Sequence, residues 1–299
     1  MTNDGRRGFT LIELIVALVL LVIVGGSMYQ VLLTVQRVTG RQTEQAAIHG
    51  NLRSGIQLIQ GELQEIATNS LAGTPTSDIL SMSATVLQYR AARGMGESCG
   101  TPTLTSVKIR QSSYSGLQTP LNGRRLYILW DRDTTKISDD QWASAPISGD
   151  ATAGTCPDGQ PSYDVALSSS LAGTITVPIG ELTAVANTPS AGEGAIPVRI
   201  YETMEMGPFN DAGTIWLGLR SLSAGEATLV PVIGPLHEGG ISFEYFDKAR
   251  NGSTDPNTVT SIRVTLIAIS TRDVSTKMDG TVGGLSDNIV IRAQLRNSQ

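Results

Sequence analysis

The sequence predicts an α+β chain: a long N-terminal helix whose first half can span a membrane, packed through its second half on an antiparallel β-sheet domain. Three observations carry this. From Phe9 to Leu33 the chain is apolar apart from one charge, Glu13. Further on, Leu52, Ile56, Ile59, Leu63 and Ile66 recur at steps of four and three, the period of one helix face. After Asn69 the composition turns to Thr, Ser, Gly and Pro with short alternating apolar runs, which is strand and turn chemistry. The expected divisions are residues 1–8, a helix over 9–68 with 9–33 transmembrane, and a β-rich domain over 69–299.

The 25 residues from Phe9 to Leu33 would extend about 37 Å as a helix, enough to cross a hydrocarbon layer of ~30 Å with tilt. An ionised Glu13 inside that layer costs roughly 3 kcal/mol unless a cation or a proton meets it. Arg6 and Arg7 precede the run, so the leading residues face the cytoplasm and everything after the helix lies outside. A secretory signal peptide places its small-residue cleavage site after the apolar stretch. Here the small residue, Gly8, comes before it. Cleavage after Gly8 would keep the helix and create an α-amino group on Phe9, the cation that Glu13 lacks.

Gly8-Phe9-Thr10-Leu11-Ile12-Glu13 resembles the processing motif of type IV prepilins and their relatives in type II secretion and DNA-uptake machines. The resemblance implies a bacterial inner-membrane precursor, single-pass, cut between Gly8 and Phe9 by a prepilin peptidase and N-methylated on Phe9. It implies that Glu13 neutralises the N-terminal amine of a neighbouring subunit during assembly into a filament, so other pilins or pseudopilins become partners through the helix. Pairing two buried charges offsets much of the desolvation each would suffer alone. Many major pilins carry a proline near mid-helix, whereas the first proline here is Pro75. Gly25-Gly26 is the weak point of the run.

In the second half of the helix Arg53, Gln57, Gln60, Glu62, Gln64 and Glu65 suit the solvated side, and Gly50, Gly55 and Gly61 weaken it by about 1 kcal/mol each relative to alanine. Strands are expected at 85–91, 105–110, 125–130, 174–177, 198–204, 214–219, 241–246, 261–270 and 288–295. Gly239-Gly240 opens the strand carrying Ile241, Phe243 and Tyr245, and Asn251-Gly252 turns the chain toward Ile262, Val264 and Leu266. Gly94-Met95-Gly96 reads as a turn. The stretch from about Ser112 to Pro197 reads as a loop-rich insertion. The closing segment, Ile289 to Asn297, resembles the final strand of the large minor pilins and pseudopilins of the PilW-like class. That class implies a part in initiating or tipping the filament, and the 299-residue length agrees with it.

Cys99 and Cys156 both fall outside the cytoplasm on this topology, and a disulfide is the expected state. No cofactor and no catalysis are expected: His49 and His237 belong to no nucleophile or zinc pattern. For metal, the weak candidates are Asp247, Asn251 and Asp255, and a second acidic group is Asp131, Asp133, Asp139 and Asp140. Neither has a calcium-loop spacing. The alternative function is a filament-tip adhesin or DNA-uptake receptor. Charge disfavours nucleic acid: 22 Lys and Arg stand against 27 Asp and Glu. A local patch would draw on Arg90 and Arg93 or on Arg124 and Arg125.

Overall fold

The computed structural model describes residues 10–67, 77–100, 102–116, 118–130, 141–171, 196–272, 274–275 and 282–296. Gly8, Phe9, the strand expected at 174–177 and the acidic group Asp131, Asp133, Asp139 and Asp140 lie outside them. One helix, α1 (Leu11–Gln64), carries the apolar run and the amphipathic stripe without a break, passing through Gly25 and Gly26. It is long and apolar enough to cross a membrane. The strands that follow are β1 (Ile79–Met82), β2 (Leu87–Glu97), β3 (Ser106–Arg110), β4 (Ser115–Gly116), β5 (Arg125–Trp130), β6 (Gln141–Pro146), β7 (Thr152–Thr155), β8 (Pro161–Ala166), β9 (Pro197–Asp211), β10 (Thr214–Ser221), β11 (Val230–Phe246), β12 (Ser261–Ile269), β13 (Val274–Ser275), β14 (Val282–Gly283) and β15 (Ser286–Gln294). The chain divides into two compact units, Met1–Gly50 with Ile269–Asp287, and Asn51–Ala268 with Asn288–Gln299.

The larger unit is organised around β9. One edge of β9 pairs with β2 from Leu87↔Met206 to Glu97↔Pro197. Its other edge takes β5 first, at Leu126↔Ile200, and then β10, at Leu219↔Met206. The main sheet runs β1-β2-β9-β10-β11-β12-β15, with β4 on β2 and β6 on β5, and a second sheet runs β3-β8-β7. The pairings of β9 with β2, β5 and β10 are all antiparallel. Alternation along β9 puts Val198, Ile200, Glu202, Met204 and Met206 on one buried face. Val198 and Ile200 share a core with Val107 and Ile109 of β3, Val165 of β8, Leu126 and Ile128 of β5, and Ala143 and Ala145 of β6.

The second half of α1 buries Leu52, Ile59 and Leu63 completely or nearly so, and Ile66 just past its end is buried as well. Gly55 lies on the same stripe, and a Cβ there would collide with Ile233 of β11. The glycine that weakens the helix by propensity is therefore a point where helix and sheet approach closely. Just past the helix, Arg296 N–H donates to Ile66 O at 2.8 Å and Asp78 N–H donates to Ala67 O at 2.8 Å. The main chain leaving α1 thus stitches the segment after β15 to the segment before β1, the two ends of the main sheet.

Three expectations are corrected. Gly94-Met95-Gly96 is no turn: it lies inside β2, where a side chain on Gly94 would meet the ring of Tyr114. Gly239-Gly240 does not open a strand but sits within β11, where the register with β12 slips between Leu236 and Ile241 and Gly239 has φ +71°. The described residues of 112–197 hold β4 to β8, with a shared core rather than loops alone. Strand β6 escaped sequence reading because Trp142, Ala143, Ser144 and Ala145 are all buried, so no polar alternation marks it.

Candidate assembly site on the N-terminal helix

Thr10 and Glu13 cap the start of α1 reciprocally. The Thr10 N–H and Oγ1 donate to Glu13 Oε2 at 2.9 and 3.0 Å, and Glu13 N–H donates to Thr10 Oγ1 at 3.3 Å. This is the Thr-x-x-Glu capping box, which satisfies donors that the first helical turn leaves open. The Thr10-x-x-Glu13 spacing is the sequence signal for this cap, and it coincides with the charge that seeks a cation. Beyond the cap, every large apolar side chain from Leu11 to Leu32 is exposed, Leu11 by 80% and Val24 by 52%. So long an apolar surface excludes water only in lipid or against other helices.

Residues 3–29 match the family described as "Prokaryotic N-terminal methylation motif". The chain carries this motif. The methylation motif covers Arg6, Arg7, Gly8, Phe9, Thr10 and Glu13 and ends within the exposed apolar part of α1. It supports a type IV pilin-like subunit processed by prepilin peptidase and assembled with other pilins, and together with the apolar helix it supports membrane anchoring. No curated protein and no solved structure matches the chain.

Away from the methylation motif, Arg93 and Arg124, two of the arginines considered for nucleic acid, join a polar seam that reaches Glu62 of α1. Arg93 donates to Glu62 of α1 at 3.0 and 3.1 Å and to Glu202 of β9 at 2.8 Å. The Tyr89 hydroxyl also donates to Glu62, at 2.9 Å. Arg124 is buried with its guanidinium 3.5 Å from Glu202, and Ser221 Oγ donates to Glu202 at 2.7 Å. Burial pushes the Glu202 carboxyl up, but the bonds from Arg93 and Ser221 and the charges of Arg124 and Arg93 outweigh it and hold the group below its ordinary value. Burial, reinforced by Glu62, pushes the Tyr89 hydroxyl well up, so it stays a donor. Arg90 is paired with Asp78 at 3.1 Å. Arg125 reaches Ser144 at 3.0 Å on the other face of β5.

Glu62→Ala would leave the Tyr89 hydroxyl and half of the Arg93 guanidinium without acceptors. Removing one partner of a fully buried pair costs about 3–5 kcal/mol. These side chains keep 21% and 19% of their surface exposed, which lowers the expected loss to about 2 kcal/mol. Denaturant unfolding of the full chain in detergent should show it as a lower midpoint with an unchanged slope.

Cys99 and Cys156 form a disulfide with a Cα–Cα distance of 5.6 Å. Asp247 and Asp255 are engaged in turns: Asp247 accepts from Asn251 N–H at 2.8 Å, and Asp255 accepts from Asn257 N–H at 3.0 Å. Among the described residues no group of three His, Cys, Asp or Glu side chains is placed to hold a metal ion.

Proposed function

We propose that this chain is a minor pilin or pseudopilin: a single-pass inner-membrane precursor with its β-rich domain outside the cytoplasm, cut between Gly8 and Phe9, N-methylated on Phe9 and built into a type IV pilus or secretion-type filament at initiation or at the tip. The methylation motif leading directly into an exposed apolar helix carries this reading. In it, residues 1–8 are the leader, 9–33 cross the bilayer, and the remainder of the helix presents the domain of residues 69–299. Assembly moves the apolar helix from lipid into a bundle of like helices, so little hydrophobic burial is gained or lost and packing and polar pairing decide the association. The Phe9 amine and the Glu13 carboxylate of a neighbour supply that pairing.

Intact-mass measurement of the protein expressed with and without its prepilin peptidase tests the pathway. The expected product lacks residues 1–8 and carries one methyl group on Phe9. An uncut Met1 terminus beside active peptidase would reduce the chain to a membrane anchor bearing a β-domain.

A further inference from the structure

Within the smaller compact unit, the apolar exposed surface of α1 ends at Val38, and two arginines stand at that end. Arg37 and Arg41 are both exposed, and neither has a carboxylate in ion-pairing range among the described residues. At four residues apart they lie on one face of the helix, where like charges repel. Glu44 continues the same face, and its Oε2 accepts from Thr271 Oγ1 at 3.2 Å. Thr271 belongs to the segment between β12 and β15 that joins this unit, and its neighbour Arg272 is exposed. Further along the face Ile48 is buried, and His49 Nδ1 meets Asp287 Oδ2 at 2.9 Å, so α1 holds this segment at Thr271 and holds the start of β15, which follows it. Arg272 therefore follows directly on a residue bonded to Glu44, on the helix face that also carries Arg37 and Arg41. Glu44, the acidic residue on that face, already accepts a hydroxyl.

We propose that Arg37, Arg41 and Arg272 form a binding site for anionic phospholipid headgroups in the leaflet away from the leader, fixing how deep α1 sits. The proposal rests on the membrane-spanning reading of α1. Counting from Glu13, Arg37 is 24 residues on, about 36 Å along the helix at 1.5 Å each. With the N-terminus at one surface of a ~30 Å hydrocarbon layer, that places the arginines among the opposite headgroups. A guanidinium there keeps its stem along the acyl boundary and its donors on phosphate. The segment held by Glu44 supplies the third arginine without a helix turn of its own.

The test is native mass spectrometry of the full chain, released from detergent with an equimolar mixture of phosphatidylglycerol and phosphatidylcholine. The wild type should retain phosphatidylglycerol at least about tenfold in preference, and Arg37→Gln/Arg41→Gln/Arg272→Gln should bind the two lipids equally. Glycerol phosphate added in excess should not displace the lipid, which separates a headgroup site from a free-anion site. Equal binding by the wild type, an unchanged preference in the triple variant, or full displacement by glycerol phosphate would overturn the proposal. Carbonate extraction of the same proteins reports membrane insertion separately. A wild type released by carbonate would overturn the spanning reading and this site with it, whereas retention without lipid preference would overturn the site alone.

Discussion

Glu13→Ala is expected to insert into the membrane as the wild type does and to fall at least about tenfold in filament incorporation. The estimate follows from the roughly 3 kcal/mol that an unpaired intramembrane charge costs, because the variant leaves the Phe9 amine of a neighbour without its counter-ion. The capping box complicates the reading, since Glu13 also accepts from the Thr10 N–H and hydroxyl. Alanine removes cap and charge together, and losing a cap alone costs about 1 kcal/mol. Glu13→Gln separates them, because glutamine still fits the capping box but carries no charge. If charge pairing drives docking, Gln should fail as Ala does. If Gln filaments contain the subunit at wild-type levels, the cap is what matters and the pairing argument is wrong. Both variants need a check of membrane content, since a subunit that never inserts also never assembles.

How much of this was legible in the sequence follows from which physical signals are local. The helix was, because an apolar run and a stripe spaced at 3.6 residues persist over many turns, and α1 ends at Gln64 close to where the stripe does. Strands with half-buried alternation were also readable, as in β12, where Ile262, Val264 and Leu266 are buried. Glycine misled twice. Gly94 carries a turn signal and Gly55 a low helix propensity, yet each makes room for a residue distant in sequence, Tyr114 and Ile233 respectively. Contacts of that kind leave no mark in the neighbouring residues. Neither arginine pair shares a set of partners: Arg124, just before β5, turns toward Glu202 while Arg125 at its start meets Ser144, and in β2 Arg90 pairs with Asp78 while Arg93 reaches Glu62 and Glu202. A pair in sequence was no patch in space. Gly8 and Phe9, on which processing turns, lie outside the described residues and rest on the motif alone.

Loss of the disulfide should produce the largest stability change of any substitution in the β-rich domain. Cys99 and Cys156 are 57 residues apart, and closing a loop of that length removes about 4 kcal/mol of chain entropy from the unfolded state in the loop model. Cys99 follows β2 and donates its N–H to Lys108 O of β3 at 2.9 Å, while Cys156 sits in the β7–β8 turn with its N–H on Gln160 O at 2.8 Å. The disulfide therefore fastens the end of the main sheet to the far edge of the second sheet. The ion pairs nearby, Lys108 with Asp164 and Arg110 with Asp158, are partly exposed at 43% and 36% and at 23% and 40%, so solvent screens them and they add little. Cys99→Ser/Cys156→Ser should lower the unfolding free energy of the full chain in detergent by about 4 kcal/mol. It should also open protease sites within residues 100–155 before the rest of the domain is cut. Because both cysteines are buried, at 4% and 3% exposure, dithiothreitol should reduce the native protein far more slowly than the unfolded one. A double variant within about 1 kcal/mol of wild type and equally resistant to protease would mean that the shared core of β3, β5, β6 and β8 holds the second sheet without the cross-link.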